Sequence, residues 1–140
     1  MSHTLLAYDE KLAVVRLGPG ADLPDWAVSG TLLSVSATAA ETSVVCAAGA
    51  VPRKARQEGP FAAFAVQGPL DLSMTGVLST LLAPLATEEI PVFTISTFDT
   101  DWILVPDGQG ERTADAWRRS GHEVRPAIDP EDQFSPEGSA

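Results

Sequence analysis

Between two apolar runs, Val92 to Ile95 and Trp102 to Val105, the chain places Ser96-Thr97-Phe98-Asp99-Thr100-Asp101. Hydroxyl and carboxylate side chains around one Phe can do two kinds of chemistry. They can close a turn by bonding to their own backbone, or the carboxylates can attract an ammonium group. A second stretch offers the opposite polarity. Gly68 and Gly76 flank the entry to an apolar periodic segment that begins at Val77. A helix starting there presents unpaired N–H groups and the positive end of its dipole, which favour a carboxylate. Together the two stretches suit a zwitterion. The plain alternatives are a hairpin cap for Asp101 and turn geometry for the glycines.

Other chemistry has little to draw on. The histidines are His3, near the start, and His122, beside a helix stop, so no Ser-His-Asp or Cys-His arrangement forms. His122 reads as a surface cation at a helix C-terminus. No C-x-x-C or H-x-x-x-H spacing and no phosphate- or dinucleotide-binding glycine motif occurs, so no metal, no cofactor and no catalytic residue is expected. Cys46, within Val44-Val45-Cys46-Ala47-Ala48, reads as a small buried hydrophobe.

The charge narrows the partners. A net charge of −10 over 140 residues opposes nucleic acid and anionic membranes, both of which need a basic face. With 44% apolar and 20% charged residues the composition is that of a globular protein, and no apolar run nears the roughly 20 residues of a membrane span. The opening MSHTLLAYDEK lacks the layout of a secretory signal, so a cytoplasmic home is expected.

The elements that must position these stretches follow from apolar patterning and turn residues. Leu12 to Leu17 reads as a strand closed by Gly18-Pro19-Gly20, and Pro24 to Ala27 as a helical turn carrying Trp26. Strands at Thr31 to Ser36 and Ser43 to Ala47 flank a corner that ends in Glu41 and echoes the corner ending in Asp101. Arg53, Lys54 and Arg56 read as a solvated face. From Phe61 the order is strand 61–66, a helix through Val77, Leu81 and Leu85 capped by Ser73 or Thr75, the hairpin, a helix from Thr113 to Ser120, and a strand from Glu123 to Ala127. That β-α-β-β-α-β order is the ferredoxin-like split unit, an antiparallel sheet with both helices on one face.

The run STFDTDWILV, preceded by GPLDLSMTGVLSTLLAPLATEEIPVF, resembles the ACT-domain family that includes the CASTOR-type arginine sensors and short bacterial ACT proteins. The resemblance extends over Leu12 to Glu123 and is most specific in its second half. It implies an α+β fold of tandem ferredoxin-like (ACT) βαββαβ units. The first unit is degenerate, because only Leu23 to Val28 stands where a first helix belongs. The implied domains are an N-terminal half at 1–59, a complete unit at 60–127 and a disordered acidic tail at 128–140.

The resemblance also implies a site. Ligand contacts carried onto this chain fall on Gly68, Thr75, Gly76, Val77 and Leu78 on one side, and on Thr97, Phe98, Asp99, Thr100 and Asp101 on the other. Glu41 and Ser43 are candidates to complete it from a partner unit. The arginine sensors are longer, with more ACT-like units, so a homodimer is implied. The expected function is a non-enzymatic sensor of an amino acid or similar small metabolite, whose bound state alters pairing with itself or with a regulatory protein partner. Two alternatives differ in class: a ligand-free structural or interaction module of the same fold, and an enzyme with Asp99 or Asp101 as general base.

Overall fold

A computed structural model describes residues 2–28, 30–71, 73–128 and 130–133. The chain divides into two compact units, one of residues 10–61 and a larger one of residues 1–9 with 62–140. Two strands, β1 (Thr4–Leu17) and β4 (Gln57–Val66), contribute residues to both.

In the larger unit, β4 leads to α1 (Val77–Thr87), the hairpin β5 (Phe93–Ser96) and β6 (Asp101–Pro106), α2 (Gly110–Arg119) and β7 (Glu123–Pro126). This is the expected order. The helices form where apolar residues recur at helical spacing: α1 buries Val77, Leu81 and Leu85, and α2 buries Thr113, Ala114, Ala116 and Trp117. Both pack on the strand face that carries Ala62, Phe64, Val66, Ile103 and Val105. The alternate residues Ala63, Ala65 and Leu104 are buried too, which accounts for the unbroken apolar runs of β4 and β6. Trp117 anchors the helix layer. Its Nε1–H donates to the Leu81 carbonyl at 2.8 Å, and its ring meets Phe64 edge-on at 5.0 Å.

One strand was not foreseen. The strand order of this unit is β7, β1, β4, β6, β5, so the first residues of β1 lie between β4 and β7. Thr4 to Ala7 pair with Glu123 to Pro126 in parallel, whereas β5 and β6 pair antiparallel. Leu5 is fully buried in the core cluster. The polar run Asp9-Glu10-Lys11 breaks the apolar pattern, so local patterning alone starts the strand at Leu12.

His122 also departs from expectation. It is buried, with 6% of its surface exposed. Its Nδ1 accepts from the His3 N–H at 3.0 Å, and the two rings stack 5.8 Å apart. The neighbour that buries it is the incoming start of β1.

The smaller unit holds β2 (Ser34–Ala37), β3 (Thr42–Ala47) and parts of β1 and β4, in the order β2, β3, β1, β4. β1 pairs antiparallel with β3, Leu12 opposite Ala47 through Leu17 opposite Thr42. Ala13, Val15, Ala27, Val44 and Cys46 form its core, with Trp26 half-buried against them. The turn carrying Trp26, Asp25–Ala27, has Pro24 at its N-cap and no side-chain cap.

The expected tail at 128–140 is described only in part. Residues 130–133 form a short 3-10 turn, while 129 and 134–140 lie outside the described residues.

Candidate functional site

The site grows from one capped turn and one uncapped helix start. In the β5–β6 corner, Thr97 N–H donates to the Thr100 carbonyl at 2.8 Å and Thr100 N–H donates to Thr97 Oγ1 at 3.3 Å. Thr100 is buried, and its hydroxyl donates to the Val66 carbonyl, tying the corner to the end of β4. The β2–β3 corner repeats the device. Thr38 N–H donates to the Glu41 carbonyl at 2.9 Å, and Thr38 Oγ1 accepts from Glu41 N–H at 3.1 Å. The two corners therefore align Thr38 with Thr97 and Glu41 with Thr100, one place from the match of Glu41 to Asp101 that the sequence suggested. Turn closure falls to the threonines. Asp101 instead accepts from Ser96 Oγ at 2.6 Å across the hairpin, where the two residues are paired in register.

The start of α1 differs from expectation as well. Neither Ser73 nor Thr75 caps it; the N-cap is Gly76, in a left-handed conformation with φ 80° and without a side-chain bond. Ser73 is held instead by Asp71, whose Oδ1 accepts from both its N–H and its hydroxyl at 2.8 Å. An Asx turn here competes with capping for the serine. The Ser73 backbone N–H, and then its hydroxyl, hold the Asp71 carboxyl below its ordinary range. The Thr80 N–H is the first of the helix to reach back, to the Gly76 carbonyl at 2.9 Å. The first N–H groups of α1 thus have no side-chain cap.

Between this helix start and the β5–β6 corner lies a cavity of about 430 Å³, lined by Leu70, Asp71, Met74, Gly76 to Ser79 and Ser96 to Asp101. The structure brings Gly76, Val77, Leu78, Thr97, Phe98, Asp99, Thr100 and Asp101 together around it. Gly68 and Thr75 do not line it, and Glu41 and Ser43 belong to the smaller unit. Gly68 acts behind the wall. Its neighbour Leu70 donates its N–H to the Asp99 carbonyl at 2.7 Å, and a Cβ on Gly68 would sit 3.0 Å from that same oxygen.

Sequence reasoning missed Leu70, Asp71, Met74, Ser79 and Ser96. Two of these carried a signal. Asp71 and Ser73 have Asx-turn spacing ahead of a helix, and Ser96 faces Asp101 in any tight hairpin register.

The lining has a definite polarity. Three carboxyl groups, Asp71, Asp99 and Asp101, share it with no Lys, Arg or His, and the uncapped helix start supplies the positive potential. Leu70, Met74, Val77, Leu78 and Phe98 form apolar wall, and Phe98 is 81% exposed. Such a cavity can take an ammonium at the corner, a carboxylate at the helix and an apolar stem between them. Among the described residues, no group of three or more His, Cys, Asp or Glu side chains is placed to hold a metal ion, and no helix is long and apolar enough to cross a membrane.

The ACT domain family model matches residues 57–118, and a model of an N-terminal domain family matches residues 10–54. The crystal structure of protein Atu0741 from Agobacterium tumefaciens superposes with a TM-score of 0.84 and 31% identity, over 92% of this chain and 96% of that one. Residues 57–118 belong to the ACT-domain family. Two more distant structures share the fold of this ACT protein. Vibrio cholerae VC0802, described as a possible transport protein, matches at a TM-score of 0.69 and 13% identity over 85% of this chain and 90% of its own. The regulatory subunit of aspartate kinase from Thermus flavus matches at 0.58 and 11% over 86% and 97%. No curated protein matches in sequence.

Proposed function

We propose that this ACT protein is a non-enzymatic sensor of an amino acid or similar small metabolite, working as a regulatory, cytoplasmic homodimer of tandem ACT-like units. The observation that carries this reading is the cavity itself, with an uncapped helix start on one wall and Asp99 and Asp101 on the other. The ligand's carboxylate meets the first N–H groups of α1, and its ammonium meets Asp101. Ser96 orients the Asp101 carboxylate while leaving Oδ2 to bond. In the dimer, Glu41 and Ser43 of a second copy complete the site. The fold shared with the regulatory subunit of an aspartate kinase and the resemblance to the CASTOR-type sensors support a regulatory role.

A second reading has an observation of its own. Phe98, 81% exposed at the tip of the hairpin, suits a surface that contacts another protein, as in a ligand-free interaction module.

A thermal-shift panel of the twenty L-amino acids, run on protein unfolded and refolded to strip bound ligand, separates the two. A ligand at about 100 times its dissociation constant stabilises the fold by roughly 2.7 kcal/mol. One hit on the wild type that Asp101→Asn loses supports the sensor, since Asn keeps an acceptor for Ser96 and removes only the charge. A flat panel favours the interaction module.

A further inference from the structure

The turn at 130–133 is fastened to the back of the cavity wall. Gln133 accepts the Gly68 N–H through its main-chain carbonyl, and Asp132 accepts from Gln67 Nε2 at 3.1 Å through its own carbonyl. The Asp132 carboxylate closes the segment on itself by accepting the Ile128 N–H. Gln67 bridges further, its Oε1 accepting from Arg125 Nη2 at 2.9 Å on β7. On the other side of the same short loop, Leu70 N–H holds the Asp99 carbonyl, and a Cβ added at Gly68 would lie 3.0 Å from that oxygen and 3.5 Å from Thr100 Cβ. The loop 67–70 thus lies between the tail turn and the acidic corner, gripped from both sides by main-chain bonds.

We propose that the 130–133 turn is a strap that holds the acidic corner in its binding shape, so that strap docking and ligand binding support each other. With the strap in place, Gly68 is fixed, the Leu70 N–H is aimed at Asp99, and the corner presents its carboxylates to the cavity. With the strap released, the Gly68 N–H loses its acceptor and the loop is held from one side alone. A ligand that favours the closed corner then draws the strap down, and a partner that captures the tail lowers ligand affinity, by the reciprocity that binding linkage requires. The ligand half of this inference rests on the proposed function; the mechanical half stands without it.

Amide hydrogen exchange on the full chain tests it. Gln67→Ala removes the side-chain bridge, Asp132→Ala removes the acceptor for Ile128, and Gln133→Ala leaves the carbonyl that Gly68 uses. Exchange at Gly68, Leu70 and Thr100 is expected to quicken about tenfold or more in the first two variants and to stay at the wild-type rate in the third. The Trp117 indole N–H, bonded inside the core, reports global opening and is expected to hold its rate. Faster exchange at Gly68 alone, with Leu70 and Thr100 unmoved, overturns the proposal. So does equal acceleration at Trp117 in both variants, because the turn would then be an ordinary part of the fold. In the panel of twenty L-amino acids, the one that stabilises the wild type is expected to bind several-fold more weakly to Gln67→Ala. Unchanged affinity in spite of a loosened corner also overturns the coupling. A flat panel alongside a loosened corner leaves the strap standing and counts against the amino-acid site.

Discussion

Gly68→Ala isolates one close approach. The new methyl would sit 2.9 Å from Leu70 N and 3.0 Å from Asp99 O, with Thr100 Cβ at 3.5 Å. Both near atoms are main chain, and they are bonded to each other at 2.7 Å, so neither can swing aside as a side chain would. Overpacking of this kind costs about 1–3 kcal/mol. Opening the Leu70–Asp99 bond adds about 1 kcal/mol. For a chain of 140 residues, a loss of about 2–4 kcal/mol lowers Tm by roughly 6–15 °C. Two further glycines calibrate the measurement. Gly108 has nothing within 4 Å of an added Cβ, so Gly108→Ala is expected to be close to neutral. Gly76 has room, its nearest neighbour Ser79 Oγ lying at 3.8 Å, but its φ of +80° makes Ala cost about 1 kcal/mol. Urea unfolding of the three variants should rank them Gly68, Gly76, Gly108 in order of loss. If Gly68→Ala falls within about 0.5 kcal/mol of Gly108→Ala, the tight packing behind the cavity wall is refuted.

Two further outcomes concern the core and its dependence on pH. Trp117→Phe leaves the Leu81 carbonyl without its donor and opens space beside Phe64, so a loss of about 2–3 kcal/mol with an unchanged urea slope is expected. Burial, and then the chain's terminal ammonium, hold the His122 imidazole below its ordinary value of 6.5. The unfolded chain therefore binds that proton more tightly than the folded one. Stability from this group is complete above pH 6.5 and falls as pH drops through the lowered folded value. Protonation at Nδ1 also removes the acceptor for the His3 N–H. Urea midpoints followed from pH 7.5 toward 5 should decline in the wild type and decline less in His122→Gln; parallel curves would contradict the burial argument.

Much of the larger unit was legible because its signals are local. Leu81 and Leu85 mark a helix face, Val92 to Ile95 and Trp102 to Val105 mark a hairpin, and the strands Phe93–Ser96 and Asp101–Pro106 lie within a residue of those arms. The site was legible in part for the same reason. Thr97 to Asp101 and Gly76 to Leu78 are chemically marked stretches, and the order of strands brings them to one cavity. Leu70 and Met74 carry no chemical mark; only the path of the loop makes them walls.

By itself the sequence determined most of the element types and the acidic character of the corner, since periodicity, turn residues and charge are properties of neighbours along the chain. Only the tertiary structure decided which strand lies beside which. The parallel pairing of Thr4 to Ala7 with Glu123 to Pro126 joins residues more than a hundred places apart. That same contact buries His122, and a second distant one fastens the 130–133 turn to Gly68. No local pattern encodes such contacts, because their stabilisation comes from burial and from main-chain N–H and C=O groups that every residue possesses.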